Sequence, residues 1–252
     1  MTEESLKGKI ALVTGGSRGI GRVCCQKLAE SGAHVAVNYH SNQAAAEETV
    51  AMVESLGVRG FAIKADVSCP EQVQAMKEAV TAELGSVELL VNNAGIFHYV
   101  THGETTLDVW KSQMDINLTG TYLTTWAFKD DMIDRRRGNI VNVASIAGLR
   151  PRSMAIAYAA SKAAVISFTQ STSEAFAEHN VRINAVAPGL TQTDILDGVA
   201  QENLDALIDS TPLKRIGQPD EIADVVIFLL SEKSRFMTGQ TLVASGGRVL
   251  LP

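Results

Sequence analysis

The 252-residue sequence has few cysteines, few aromatic side chains and no long apolar segment. Its three cysteines, two of them adjacent, form neither a disulfide framework nor a metal-site spacing. No apolar run approaches the roughly 20 residues that a membrane-spanning helix requires. The first residues, Met1 to Ser5, are acidic and polar, unlike a secretory signal. These absences predict a reduced, cytoplasmic enzyme or binding domain that holds no metal.

Positive charge is also scarce. The net charge of −6 argues against nucleic acid or an anionic membrane as the main partner, because both are bound by clustered cations. The one basic cluster, Arg135–Arg137, is predicted to cap a helix C-terminus before Gly138. With 46% hydrophobic residues, the chain can bury a core as one domain over residues 1–252.

Apolar strands and amphipathic helices alternate along the whole chain at βαβ spacing. The helix after the third strand is predicted to begin with a capping box at Ser68–Glu71. One long helical segment is predicted from Thr106 to about Ile133. Because each crossover is a helix, the fold class is α/β: a single-domain Rossmann-type, doubly wound parallel β-sheet with helices on both faces.

A glycine-rich turn joins the first strand to the first helix. Glycines let the backbone approach a pyrophosphate, and the helix N-terminus supplies amides and the positive end of a dipole. Such turns also serve simple strand-to-helix packing, but the flanking strand and helix favour a dinucleotide site. The contacts predicted from this turn are Gly15, Ser17, Arg18, Gly19, Ile20 and Gly21.

Tyr158 and Lys162 stand four residues apart in an alanine-rich run, so on a helix they share one face. A nearby ammonium lowers the pKa of a phenol, which makes Tyr158 a candidate proton donor or acceptor. Ser145 ends an apolar strand, where its hydroxyl can hydrogen-bond a reacting carbonyl oxygen. The Tyr-x-x-x-Lys spacing also occurs by chance on many helices, and the upstream glycine turn favours chemistry here.

The segment after the second strand indicates the choice of cofactor. An NAD site of this type places a carboxylate there to hold the ribose 2′-hydroxyl. The residues present are Asn38, Tyr39, His40 and Ser41, and none of them is acidic. Arg18, Ser41 and His40 can instead supply hydrogen bonds to a 2′-phosphate. The sequence therefore predicts NADP, with NADPH preferred over NADH.

Taken together, the sequence resembles the short-chain dehydrogenase/reductase family over essentially its whole length. The matching motifs, in order, are Thr14-Gly-x-x-x-Gly-x-Gly21, Asn92-Asn-Ala-Gly95, Asn117, Ser145, Tyr158-x-x-x-Lys162 and Pro188-Gly189. The resemblance implies a nicotinamide cofactor and hydride transfer to or from a carbonyl or alcohol carbon. It also implies a homotetramer that pairs through the helices near 106–133 and 155–178 and the C-terminal strand region.

The resemblance assigns roles to individual residues. Tyr158 would be the acid/base, and Ser145 would orient the substrate oxygen. Lys162 would lower the pKa of the tyrosine and bind the nicotinamide ribose. Asn117 would hold a helix kink and a water of the proton relay. The further cofactor contacts that it implies are Asp66 and Val67 for adenine, Asn93, Ala94 and Gly95, and the nicotinamide-side residues Pro188, Gly189, Thr191 and Thr193.

The substrate is less sharply defined. The pattern resembles bacterial 3-oxoacyl-[acyl-carrier-protein] reductases and related carbonyl or hydroxysteroid dehydrogenases. Glu174 and Glu178 stand where such reductases often place a cation, so a free ketone or alcohol remains as strong a candidate as an acyl thioester. The expected specificity loops are Ile96–Thr106 and Leu190–Leu213. The alternatives from other classes are a catalytically silent nucleotide-binding regulator or scaffold and a structural oligomerisation subunit.

Overall fold

The structure is a computed structural model, and it describes residues 6–193 and 201–249. The strands are β1 (Ile10–Val13), β2 (His34–Tyr39), β3 (Gly60–Lys64), β4 (Leu89–Asn92), β5 (Gly138–Val143), β6 (Val181–Pro188) and β7 (Thr241–Ala244). The helices are α1 (Gly19–Glu30), α2 (Gln43–Ser55), α3 (Pro70–Glu83), α4 (Leu107–Met114), α5 (Gly120–Asp134), α6 (Ile156–Phe176), α7 (Gln201–Asp209) and α8 (Pro219–Leu230). Within the described ranges, no helix combines the length and the apolar character needed to cross a membrane.

These seven strands form one parallel sheet in the order β3-β2-β1-β4-β5-β6-β7. The chain builds outward from β1 to β3 and then returns to place β4 on the other side of β1. The strand order therefore reverses between β1 and β4. Ligands of such sheets bind beyond the carboxyl ends of the strands at this reversal. The predicted doubly wound sheet is confirmed, and the reversal defines where a cleft should lie.

An apolar core covers each face of the sheet. On one face, buried residues of α1, α2 and α8 pack against the strands, and on the other, buried residues of α3, α5 and α6 do so. Val73, Met76 and Val80 of α3 are buried, as their helical spacing predicts. The predicted placement of helices on both faces is therefore also confirmed.

The long helix predicted over 106–133 is interrupted. A π-helical turn, Asp115–Thr119, separates α4 from α5. Asn117 lies inside this turn, fully buried, and its amide accepts a hydrogen bond from Ile96 N (2.8 Å) and donates one to Ile96 O (3.0 Å). A π-helical turn adds one residue to a helix, often at a functional site. The interruption thus aims Asn117 at the loop after β4.

The capping box predicted at Ser68–Glu71 is wrong. The residue that precedes α3 is Cys69, and its side chain makes no capping bond to the helix. The Ser68 hydroxyl instead donates to Asp66 Oδ1 (2.6 Å), which also accepts from Ser68 N (2.9 Å). Asp66 offers a charged acceptor only two residues away, and this local turn outcompetes the helix cap.

The basic cluster Arg135–Arg137 does follow the last residue of α5, but its cations have other partners. Arg137 Nε lies 2.6 Å and Arg135 Nη2 3.6 Å from the carboxylate of Glu88, which is almost fully buried. Arg136 donates to the backbone oxygen of Glu178 (2.7 Å). The cluster therefore neutralises a buried carboxylate near the start of β4 and ties α5 to the end of the α6 region.

Candidate active site

The glycine turn in front of α1 brings its backbone into close contact with itself. Gly15 and Gly19 have φ angles of +62° and +52°, which L side chains rarely adopt. A Cβ at Gly21 would lie 2.3 Å from the Gly15 carbonyl oxygen, so no side chain fits there. A helix N-terminus that begins at such a turn suits the pyrophosphate of a dinucleotide.

Thr14 fastens this turn to the end of β4. Its hydroxyl accepts from Asn93 N and Ala94 N, both at 3.0 Å, and donates to Val91 O (3.3 Å). The Asn93 amide returns bonds to the carbonyl oxygens of Thr14 (2.9 Å) and Gly15 (3.1 Å). The two loops that flank the strand-order reversal are thus held as one rigid wall.

The four residues predicted to meet the ribose separate into two pairs. Asn38 is buried; its amide oxygen accepts from Gly15 N (3.2 Å), and its amide nitrogen donates to three backbone oxygens, the shortest being that of Ala65 (3.1 Å). Tyr39 is buried in the apolar core. The side chains of Asn38 and Tyr39 are therefore structural, because the β2 end is enclosed on both sides. His40 and Ser41 are exposed.

The acidic residue next to His40 is Asp66, which follows β3. Asp66 Oδ2 lies 3.8 Å from His40 Nε2, and Val67 is buried beside it. Partial burial raises the pKa of Asp66, but hydrogen bonds from Ser68 and the charge of His40 outweigh it, so the pKa lies below its usual value. The edge formed by His40, Ser41 and Asp66 is polar.

The loop after β6 closes the other side of the cleft. Thr191 pairs as a β-bridge with Gly217, and its hydroxyl donates to Gly189 O (3.2 Å). Thr193 reaches the glycine turn, since a Cβ at Gly19 would stand 3.3 Å from its methyl carbon. Gly19 and Thr193, which are both predicted cofactor contacts, therefore meet across the cleft.

Lys162 lies on α6 beneath this cleft and is almost completely buried. Its ammonium donates to Val143 O (2.7 Å) and lies 5.8 Å from the centre of the Tyr158 ring. Burial lowers the pKa of Lys162 to about 8. A Cβ at Gly95 would stand 3.5 Å from the ammonium and 3.1 Å from Asn117 Oδ1, so Gly95 keeps this space open.

Tyr158 faces the hydroxyl of Ser145. Burial is the largest influence and raises the pKa of Tyr158; the Ser145 hydrogen bond and the charge of Arg152 lower it less. The sequence predicts a lowered pKa through Lys162, and the structure differs because desolvation of the phenolate outweighs the nearby charges. Phe97 meets the Tyr158 ring edge-on, with ring centres 4.9 Å apart, and fixes its orientation.

Asn117 serves the loop between β4 and α4. Besides its two bonds to Ile96, its amide donates to Ser161 Oγ (3.0 Å), and Ser161 donates to Tyr158 O (2.8 Å). All side-chain hydrogen bonds of Asn117 therefore link the π-helical turn to the loop and to α6. This agrees with the helix kink that the resemblance implies.

One cavity of about 500 Å³ is lined by Ser145, Tyr158 and Lys162 together with the loops after β4 and β6, whereas Asn117 lies outside its lining. Ten predicted residues line it: Ile20, Asn93, Gly95, Ser145, Tyr158, Lys162, Pro188, Gly189, Thr191 and Thr193. Phe97 and Tyr99 line it from the first predicted specificity loop and Leu207 from the second, where α7 replaces the expected loop conformation. Leu196, from the same predicted loop, lies outside the described residues.

Two cavity-lining residues, Arg152 and Arg248, are absent from the sequence-based site. Arg152 could have been suspected, because it lies in the short connection between Ser145 and Tyr158. Arg248 has no local signal, since it reaches the cavity from just beyond β7 through the folding of the whole sheet.

A parallel doubly wound sheet, a glycine turn before α1 and a Ser-Tyr-Lys group that lines one cavity define a dinucleotide-dependent oxidoreductase. Residues 15–248 match the family model described as "Enoyl-(Acyl carrier protein) reductase". The 3-oxoacyl-[acyl-carrier-protein] reductase of Staphylococcus aureus is 38% identical over 239 residues, 95% of this chain and 97% of that protein. Glucose 1-dehydrogenase 2 of Bacillus subtilis is 32% identical, over 99% of this chain and 98% of that protein.

Solved structures agree. A 3-oxoacyl-[acyl-carrier protein] reductase from Brucella melitensis with bound NAD superposes with a TM-score of 0.89 at 35% identity, covering 99% of this chain and 94% of that one. A putative short-chain alcohol dehydrogenase from Sinorhizobium meliloti gives 0.93 at 34% identity, covering 97% and 98%.

The chain belongs to the short-chain dehydrogenase/reductase family. It is an NAD(P)-dependent oxidoreductase that transfers a hydride between a nicotinamide cofactor and a ketone or secondary alcohol. The alternative of a catalytically silent regulator finds no support in these comparisons.

Proposed function

We propose that this enzyme uses Tyr158 as its proton donor and acceptor, with Ser145, Lys162 and Asn117 in support. The observation that carries the proposal is the convergence of Ser145, Tyr158 and Lys162 on the cavity. When bound, a reduced nicotinamide supplies the hydride. Gly15, Gly19 and Gly21 would hold its pyrophosphate, and Lys162 would bind its ribose.

The raised pKa of Tyr158 keeps the phenol protonated near neutral pH, which suits ketone reduction. Tyr158 gives its proton to the substrate oxygen as that oxygen gains negative charge, and Ser145 orients the same oxygen through its hydroxyl. In alcohol oxidation Tyr158 takes the proton back. Asn117 is a positioning residue, because its bonds to Ile96 and Ser161 hold the loop and helix that frame the reacting groups.

NADPH is the proposed cofactor. His40 and Ser41 are exposed at the end of β2, and the next acidic residue along the sequence, Glu47, already lies on α2. Arg18 is exposed and immediately precedes α1. A guanidinium at that point can form charge-assisted hydrogen bonds with a 2′-phosphate, and the Asp66 carboxylate at this edge lies 3.8 Å from His40 Nε2.

Replacing Arg18 by alanine should raise the Michaelis constant for NADPH by roughly 10- to 150-fold, the value of one charged hydrogen bond, and change that for NADH much less. Initial rates with both cofactors and one ketone measure this. Arg22→Ala is the matched control, because Arg22 lies one turn further along α1 and pairs with Glu48 (2.8 Å). Equal effects of Arg18→Ala on both cofactors, or a wild-type preference for NADH, would refute the assignment.

The proposed substrate is a free ketone or secondary alcohol, with a 3-oxoacyl thioester as the alternative that the relatives suggest. Arg135 and Arg137 already face Glu88, and Arg136 already bonds Glu178 O, so these cations are poorly placed to dock an acidic carrier protein. The proposal further holds that residues 1–252 act as one cytoplasmic catalytic domain. Loss of NADPH absorbance with a panel of ketones and 3-oxoacyl thioesters tests the substrate.

The proposed assembly is a homotetramer. Tyr122 and Trp126 on α5 are 40% and 39% exposed, and their ring centres lie 4.6 Å apart. Trp126 also contacts Phe168 of α6, with ring centres 5.9 Å apart. An exposed aromatic patch that joins two helices marks a protein interface. The apolar end of the chain, Val249–Pro252, lies mostly outside the described residues.

Trp126→Glu should therefore dissociate the tetramer at micromolar concentration, because it places a charge in the centre of this patch. Light scattering coupled to gel filtration measures the change in mass. Leu56→Glu is the control, since Leu56 is similarly exposed (41%) but immediately follows α2, away from α5 and α6. A wild-type protein that is a stable monomer at this concentration would contradict the proposal.

A further inference from the structure

Two arginines share the cavity with the reacting groups. Arg152 lies in the connection from Ser145 to α6, and Arg248 follows β7. Both side chains are half-buried, and the charge of Arg152 is close enough to influence the pKa of Tyr158. The remaining lining near them is largely apolar and includes Met154 and Leu207.

These arginines differ from others in the described ranges. Arg22, Arg137 and Arg215 each face a carboxylate within 3 Å. Among the described residues, neither Arg152 nor Arg248 forms an ion pair, and Arg248 Nε is buried without a hydrogen-bond partner. A buried guanidinium N–H without a hydrogen-bond acceptor costs free energy. An anionic ligand in the cavity would supply that acceptor.

The electrostatics agree with this geometry. Burial first, and then the charges of Arg152 and Arg150, lower the pKa of Arg248 to about 10. Burial and the charge of Arg150 also lower the pKa of Arg152. Cations gathered at one wall without an anion between them form a site of positive potential that attracts a negatively charged ligand.

We infer that Arg152 and Arg248 form an oxyanion-binding subsite for a ketone substrate that itself carries a carboxylate or a phosphate group. This inference rests on the ketone substrate proposed above and narrows its class. Guanidinium groups bind carboxylates and phosphates through paired, charge-assisted hydrogen bonds. With the oxyanion on this wall, the apolar lining covers the carbon chain, and the ketone lies toward Ser145 and Tyr158.

The test compares each ionic substrate with its uncharged twin under NADPH. The carboxylate arm uses 3-oxobutanoate, 4-oxopentanoate and 5-oxohexanoate against their methyl esters, and the phosphate arm uses dihydroxyacetone phosphate against dihydroxyacetone. We expect at least one ionic member to exceed its twin in kcat/KM by roughly tenfold or more, the value of one charged hydrogen bond. The arm in which the preference appears identifies the oxyanion.

Arg248→Gln should reduce the ionic-to-neutral ratio of kcat/KM by roughly 10- to 150-fold. Arg152→Gln should reduce the same ratio, although its effect on Tyr158 also alters the neutral rate. Arg150→Gln is the matched control: it removes a neighbouring cation that lies outside the described cavity lining, so the ratio should change only a few-fold.

The failures are distinguishable. If no ketone, ionic or neutral, is reduced, the proposed ketone substrate class fails together with the subsite. If neutral ketones react and no ionic twin is preferred in either arm, only the subsite is overturned. If Arg248→Gln depresses ionic and neutral substrates equally and changes the mass by light scattering, Arg248 serves subunit contact, and the subsite is likewise overturned.

Discussion

Replacement of Tyr158 by phenylalanine is expected to lower kcat by about 10²- to 10⁴-fold, the contribution of general acid–base catalysis. The variant keeps the ring that packs edge-on against Phe97 and loses only the hydroxyl that faces Ser145. Cofactor affinity should change little, because the ammonium of Lys162 keeps its bond to Val143 O. Steady-state kinetics measure the change in kcat, and a separate titration of cofactor binding measures the change in cofactor affinity.

Tyr122→Phe is the control for this experiment, because Tyr122 is an exposed tyrosine on α5 that does not line the described cavity. Ser145→Ala should lower kcat less than Tyr158→Phe, since it removes a hydrogen bond to the substrate oxygen and leaves the proton donor in place. Near-wild-type turnover by Tyr158→Phe would exclude Tyr158 as the proton donor.

Much of the fold could be predicted from the sequence, because the local patterns of strands, turns and helices are all consistent with one architecture. Short apolar strands, glycine turns and amphipathic helices alternate, so the parallel sheet follows from connectivity alone. The interruption at Asn117 was not visible as a break in helical pattern. The π-helical turn depends on the bonds from Asn117 to Ile96, a contact 21 residues away in sequence that only the folded loop provides.

Site residues could be predicted where a sequence motif determines the backbone conformation. They could be predicted less well where burial determines the direction or the pKa of a side chain. Asn38 and Tyr39 are the last two residues of β2, and their side chains turn inward because neighbouring strands and loops enclose them. The pKa of Tyr158 could not be inferred from Lys162 alone, since the spacing reveals the charge but not the desolvation. Arg248 enters the cavity only when β7 pairs with β6.

The second large effect concerns Lys162. Lys162→Met should lower kcat/KM for the cofactor by roughly 10- to 150-fold through the loss of a charged hydrogen bond. It should also lower kcat, because removing a cation 5.8 Å from the Tyr158 ring makes the phenol a weaker acid. The alkaline limb of the pH–rate profile should move to higher pH. A variant that loses cofactor affinity but keeps the wild-type profile would limit Lys162 to binding.

The same substitution should change stability in a pH-dependent way. Burial lowers the pKa of Lys162 from about 10.5 to about 8, which at about 1.4 kcal/mol per unit corresponds to about 3 kcal/mol of desolvation. Below pH 8 the lysine is charged in both folded and unfolded chains, so the folded state bears the whole cost. Between pH 8 and 10.5 the folded chain releases the proton first, and its stability rises with pH.

Methionine does not titrate, so the unfolding free energy of the wild type should increase relative to that of Lys162→Met as pH rises from about 8 toward 10.5. Urea unfolding of both proteins at equal concentration, at pH 7.5 and pH 10, measures this difference while all other titrations cancel. If the difference stays constant between the two pH values, Lys162 is not desolvated in the folded protein. A lowered pKa of Lys162 in the folded protein would then be refuted.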